Sequence, residues 1–262
     1  MTVPETLHRI PRHPWRWLPW LLLSQLLVAW AWVALGWLAG LPLMLASHAL
    51  FMVPVFLPNS RFYAPVLSRL PGPAPRVWLT IDDGPSHETP AVLDLLDRYQ
   101  AKATFFLVGE RALAQPDLVR QMLARGHSLG NHSHGHPQAR FWRLGPAAMA
   151  DEIARCQQAL TAIAGQPPRW YRSVVGMTNP FVAPALQRWN LTRVGWSARG
   201  FDGVDCQAQA VVERINADLG PGAIVLLHEG AAHGHNLAII EAVLQALQDR
   251  GLRAELPDAA LS

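Results

Sequence analysis

Two adjacent carboxylates, Asp82 and Asp83, stand directly before Gly84-Pro85 at the end of the apolar run Val77-Trp78-Leu79. Side chains alternate faces along a strand, so neighbouring carboxylates serve one pocket only where the strand stops and the backbone turns. Gly84 and Pro85 supply that stop. Two carboxylates so placed can divide labour, one binding a cation while the other stays free as a base. An isolated Asp-Asp-Gly is more often a plain surface turn. Here it has partners further along: His132, His134 and His136, then Arg172, Arg199, Asp202 and His228.

The histidines recur every second residue in Asn131-His132-Ser133-His134-Gly135-His136-Pro137. An extended segment would point all three one way, whereas a helical turn would pair His132 with His136. Beside a carboxylate, such a cluster favours metal binding over a structural role. One Asp and two His leave open positions on a metal, which suits a hydrolytic zinc site and equally the 2-His-1-carboxylate triad of iron oxygenases. A second carboxylate as base and a separate histidine as acid are what amide hydrolysis needs.

These residues need elements to hold them. The sequence predicts strands at Val77–Asp82, Ala103–Val108, His127–Leu129, Arg169–Arg172, Leu191–Ser197, Ala223–Leu227 and Leu252–Leu256. Helices are expected at Thr89–Gln100, Gln115–Arg125, Pro146–Ala164, Pro180–Trp189, Ala208–Leu219 and Asn236–Asp249. Such alternation implies a mainly parallel sheet with crossover helices. Each unusual polar residue falls just after a strand, and in βα architectures those C-terminal ends form one rim. About seven βα units fit a small, irregular barrel, with a doubly wound open sheet as the alternative. No GxGxxG or GxxxxGK[ST] follows any strand, which removes the dinucleotide and P-loop readings.

The N-terminal part is different. No charged residue occurs from Trp17 to Ser60, a stretch rich in Leu, Val, Ala and Trp. As one helix it would be about twice the hydrocarbon thickness, so a hairpin of two spans is expected, Trp17 to near Trp37 and Leu41 to near Leu57. The apolar region is too long for a cleaved signal peptide and has no clear small-x-small site. Arg9, Arg12 and Arg16 precede the hairpin, Arg61, Arg69 and Arg76 follow it, and its tip has none. Under the positive-inside rule both ends face the cytoplasm, which makes a multi-pass inner-membrane protein with its catalytic part at the inner face; the periplasmic side is the alternative. The expected layout is a basic segment 1–16, a helical hairpin 17–57, a proline-rich linker 58–75 along the membrane surface, and a catalytic domain 76–258. His48 is expected to be a packed or interfacial residue.

The net charge of +3 comes from dispersed arginines and a single lysine, Lys102, with no basic run for nucleic acid. Cys156 and Cys206 show no paired spacing and read as buried thiols.

TIDDGP (Thr80 to Pro85), NHSHGHP (Asn131 to Pro137), YRSVVG (Tyr171 to Gly176) and IVLLHEG (Ile224 to Gly230) resemble, in order and spacing, the polysaccharide deacetylases of the NodB-homology group of carbohydrate esterases. The resemblance covers about Arg76 to Leu256. It implies a distorted, incomplete (β/α) barrel that removes acyl groups, usually N-acetyl, from amino sugars with a divalent metal, zinc foremost and cobalt, nickel or manganese as alternatives. Asp83, His132 and His136 match the metal ligands, which leaves His134 as a lining residue. Asp82 matches the base, His228 the acid, Arg172 the arginine that holds the base, and the backbone N–H near Val175 the oxyanion donor.

The chain also departs from that pattern. Ser173-Val174-Val175 replaces an aromatic groove wall, and Arg199 stands where the fourth motif has its first acidic residue. The family supports the acid histidine with a carboxylate from that motif, so Asp202 is expected to take this role, and Arg199 to face the substrate as a phosphate contact. Asp202 capping a turn before Gly203 is the plainer alternative. His233 and His235 read as surface residues. The expected partners are membrane lipid and a lipid-linked sugar, glycolipid or polysaccharide, with no protein partner inferable. The rival reading is a catalytically silent, membrane-anchored sugar-binding protein of the same fold.

Overall fold

The computed structural model describes residues 7–205 and 207–257. Cys206 lies outside them, and Cys156 is a buried free thiol.

Helices α1 (Trp17–Leu35) and α2 (Trp37–Met52) meet at Gly36, whose φ of 76° is a left-handed conformation that a side chain would strain. Both segments, the second continued to Val55, are long and apolar enough to cross a membrane. The chain reverses at Gly36, earlier than the expected second span beginning at Leu41. Gly40 lies inside α2, where a Cβ would sit 2.6 Å from the Trp32 ring, so its role is close helix contact. Gln25 and Ser47, equidistant from Gly36 in the chain, are hydrogen-bonded at 3.0 Å, which makes the pair an antiparallel hairpin. His48 places Nδ1 2.7 Å from the Met44 carbonyl and so satisfies its polarity within α2.

The rest of the chain follows in order as β1 (Arg76–Asp82), α3 (Thr89–Arg98), β2 (Ala103–Leu107), α4 (Gly109–Ala114), α5 (Pro116–Ala124), β3 (Ser128–Asn131), α6 (Pro146–Ala164), β4 (Trp170–Tyr171) and α7 (Val182–Arg188). It continues through β5 (Thr192–Arg193), β6 (Ala198–Arg199), α8 (Ala208–Asp218), β7 (Ile224–His228), α9 (Asn236–Asp249) and β8 (Arg253–Ala254). The strands pair in parallel in the order β5-β4-β3-β2-β1-β7-β6, with β8 against the start of β1. From β1 to β7 each strand neighbours the next in the chain except β5 and β6, and β7 returns to pair with β1. The sheet is therefore a curled half-barrel open at that one place.

Side-chain alternation along β1 assigns its two faces. Val77, Leu79 and Ile81 pack outward in a core with Val92, Leu96 and Ile240 of the covering helices. Trp78 points inward, where it packs with Phe106 and Trp170, and by the same period Thr80 and Asp82 also face the lumen.

Two expectations are corrected here. Leu191–Ser197 is not one strand: β5 pairs with β4 and β6 with β7, so the chain crosses the opening between them. Segment 58–75, expected as a linker on the membrane surface, instead fills that opening. Leu67 donates its N–H to the Arg193 carbonyl at 2.9 Å and accepts from Gly195 at 2.8 Å, and Ala64, Val66 and Leu67 are fully buried. Its prolines prevent a regular strand, yet the apolar residues between them are free to pack.

Candidate active site

Asp82 ends β1 on the lumen side and is buried. The guanidinium of Arg172, just past β4, donates to Asp82 Oδ1 at 2.8 Å, to Thr80 Oγ1 at 2.7 Å and to the Gly195 carbonyl at 2.9 Å, and lies over the Phe106 ring at 4.3 Å. Every face of the buried cation thus has a partner, which a buried ion pair requires. Thr80 was not singled out from the sequence. Its signal was available, since it lies two residues before Asp82 and so shares its face.

Asp83 leaves the strand with φ 73°, and this turn brings its carboxylate to the same cleft as Asp82. Its Oδ1 lies 3.0 Å from His136 Nε2 and 3.5 Å from His132 Nε2. The three ligand atoms all fall within 4.8 Å of one another. The Nδ1 of His132 lies 2.9 Å from the Arg172 carbonyl, which fixes the proton there and leaves the Nε2 lone pair facing Asp83. Asp83 Oδ1 is buried without a hydrogen-bond partner. An acceptor oxygen and imidazole lone pairs converging on one point form a donor set for a divalent cation. Burial alone would raise the Asp83 carboxyl, but with both rings in the imidazolium form their charges and hydrogen bonds outweigh it and hold the group well below the usual carboxylate range; a cation at that point would take the place of those protons.

The histidine segment is a turn, with positive φ at Ser133 (68°) and His136 (51°). The Asn131 side chain accepts from Ser133 N–H at 3.0 Å, and Glu152 of α6 accepts from the N–H groups of His134 and Gly135 at 3.0 and 2.9 Å. This pairs His132 with His136 and turns His134 away. His134 was expected to line the pocket; it is buried beside Gly109, with Nε2 3.9 Å from Glu110. Glu152 was missed, because a helical glutamate in α6 carries no spacing signal towards the loop.

Asp82 and His228 are direct partners across β1 and β7. Asp202, fully buried, places Oδ1 2.9 Å from His228 Nδ1 and accepts the His228 N–H on Oδ2 at 2.6 Å. Burial would lower the imidazole, but Asp202, with Asp82 and Asp83 behind it, raises it to about 9. His228 is therefore a cation at neutral pH with Nε2 free to donate. His233, expected at the surface, is half-buried with Nε2 2.7 Å from the Asp202 carbonyl, and so braces that loop. His235 is exposed and stacks on it at 5.7 Å. Glu229, the residue after His228, was also missed: it accepts from Ser86 and Thr89 hydroxyls at 2.8 and 2.5 Å and so ties the turn after Asp83 to β7.

The cleft is closed by Val175, Gly176, Trp196, Arg199 and Phe201. Val175 has φ 49° and an exposed side chain, which puts its peptide at the rim. Gly176 is crowded by Trp196 and by Pro58, 2.8 Å from where a Cβ would lie. Asn59 donates to the Trp196 carbonyl at 2.9 Å. The residues leaving the apolar hairpin thus pack directly against the cleft wall.

The family model for polysaccharide deacetylase matches residues 69–194. The chitooligosaccharide deacetylase of Bradyrhizobium sp. (strain ANU 289) is 34% identical over 183 residues, which are 69% of this chain and 83% of that protein. A peptidoglycan-N-acetylglucosamine deacetylase of Listeria monocytogenes is 34% identical over 67% of this chain, but this covers only 36% of its own length. Among solved structures, the family 4 carbohydrate esterase from Streptomyces lividans in complex with acetate superposes with a TM-score of 0.63 at 34% identity, over 69% of this chain and 92% of that one.

Proposed function

Since the chain belongs to the polysaccharide deacetylase family, we propose that it is a metal-dependent hydrolase that removes an N-acetyl group from an amino sugar. The observation that carries this reading is the register pairing of Asp82 with His228 beside the Asp83, His132 and His136 cradle. A base, an acid and a cation site then open on one cleft.

A divalent cation held by those three residues, zinc by its donor set, would polarise the amide carbonyl and make a water more acidic. Asp82, oriented by Arg172, takes a proton from that water as its oxygen attacks the carbonyl carbon. The Val175 N–H donates to the oxyanion that develops at the rim. His228 then gives its proton to the amine nitrogen as the C–N bond breaks, while Asp202 stabilises the imidazolium until that moment. The products are a free amino sugar and acetic acid, which ionises to acetate; the proton on Asp82 passes to solvent, and a solvent proton restores the His228 imidazolium.

The relatives act on chitooligosaccharides and on peptidoglycan, as their names state, which supports an N-acetylglucosamine-type sugar here. The two apolar helices favour a substrate presented at a membrane, a lipid-linked glycan or glycolipid, rather than a finished polymer. With both hairpin ends on one side and arginines flanking it, the cytoplasmic face is the proposed side.

The test is amine release by the full chain in detergent, loaded with zinc or cobalt, on N-acetylated oligosaccharides and glycolipids. Release that requires both Asp82 and His228 is expected. Metal uptake without release from any of these would favour the silent sugar-binding reading.

A further inference from the structure

Charges in the cleft are matched almost one for one. Asp82 pairs with Arg172, Asp83 faces His132 and His136, and Asp202 holds His228. Arg199 is the cation left over. It lines the same cleft from the end of β6, with its guanidinium carbon 4.1 Å from the Phe201 ring centroid and 5.1 Å from that of Trp196. Among the described residues it has no ion pair, and its Nε is buried without a hydrogen-bond partner.

An N–H taken out of water with no acceptor is costly, so an arginine held this way is suited to an acceptor that arrives with a ligand. Its place over two aromatic rings also restricts where the guanidinium can go before anything binds. Amide hydrolysis at a neutral sugar makes no use of such a group, because the oxyanion already has its donors.

We propose that Arg199 is an anion subsite that takes a phosphate ester carried by the amino sugar. Trp196, one of the rings that hold Arg199, is itself held by Asn59 and lies against Pro58's neighbour Gly176. An anion at Arg199 therefore sits near the exit of the apolar hairpin, where the phosphate of a lipid-borne sugar would lie. The exposed apolar side chains of Val175, Phe201 and Val204 on the same rim suit that neighbourhood. The sugar part of this proposal rests on the deacetylase reading, whereas anion capture at Arg199 does not.

Binding and turnover separate the two. Metal-stripped full chain in detergent, titrated calorimetrically, should bind N-acetylglucosamine 1-phosphate about tenfold more tightly than N-acetylglucosamine. Arg199→Gln should abolish that preference, and Arg199→Lys, which keeps the charge but loses the fork, should retain part of it. Equal binding of the two sugars, or an undiminished preference in Arg199→Gln, overturns the subsite. A preference without turnover by the zinc form would uphold the subsite and defeat the deacetylase reading; turnover without a preference would do the reverse. Comparing kcat/KM for the soluble sugar phosphate and for the same sugar on a polyprenyl phosphate identifies the source of the phosphate. The polyprenyl form should be preferred, and equality would assign a soluble sugar phosphate instead.

Discussion

Asp202 grips His228 at two points, with one carboxylate oxygen 2.6 Å from its main-chain N and the other 2.9 Å from ring Nδ1. The first contact fixes where β7 ends, and the second sets the charge of the ring. With the imidazole raised to about 9, the acid form persists through neutral pH and is lost as pH climbs through that value. Activity is therefore expected to fall on the alkaline side. Asp202→Asn removes the carboxylate that does most to raise the ring, so the alkaline limb of kcat against pH should move to lower pH and the maximum should drop by about tenfold or more. An unchanged profile would separate His228 from Asp202.

Metal content per chain tests the cradle. Asp83→Ala, His132→Ala and His136→Ala should each abolish tight zinc binding, because three ligands are the minimum here. His134→Ala should keep one metal per chain while lowering thermal stability, since its ring fills space beside Gly109.

Arg172 and Asp82 form a buried ion pair, and removing one member leaves the other charge stranded. Arg172→Met is expected to destabilise the catalytic domain by about 3–5 kcal/mol, well beyond a surface substitution. Denaturant unfolding followed by tryptophan fluorescence gives the value. Zinc should recover little of this loss, because the stranded carboxylate is the proposed base and lies outside the Asp83, His132 and His136 cradle.

The hairpin exit supports the cleft, so changes there should reach the chemistry. Gly176→Ala forces a Cβ against Pro58 and Trp196 and strains a φ of 74°. It should lower kcat by about tenfold at unchanged metal content, because it displaces the Val175 peptide. Asn59→Ala should lower kcat/KM in the same direction by loosening Trp196. Normal kinetics in both variants would reduce the hairpin to a tether.

Reporter fusions at the C-terminus address topology. A cytoplasm-active reporter there is the expected result, and activity of a periplasm-only reporter would reverse the orientation.

The sequence alone determined which residues could carry chemistry and their order along the chain. Strand alternation and a turn after Asp82 were enough to expect two carboxylates on one pocket, and residues that follow strands of a parallel sheet had to share a rim. The uncharged stretch likewise required two helices, because length and hydrocarbon thickness leave little choice. What the sequence could not give were relationships between segments with no common period. Register across β1 and β7 made Asp82 and His228 neighbours. The turn at Ser133, held by Glu152, selected His132 and His136 over His134. The opening between β5 and β6 drew in residues 58–75, whose prolines had argued against any structure. Local patterns record which face a side chain occupies within its own element. Which other element meets that face depends on how the whole sheet curls, and only the tertiary structure decides it.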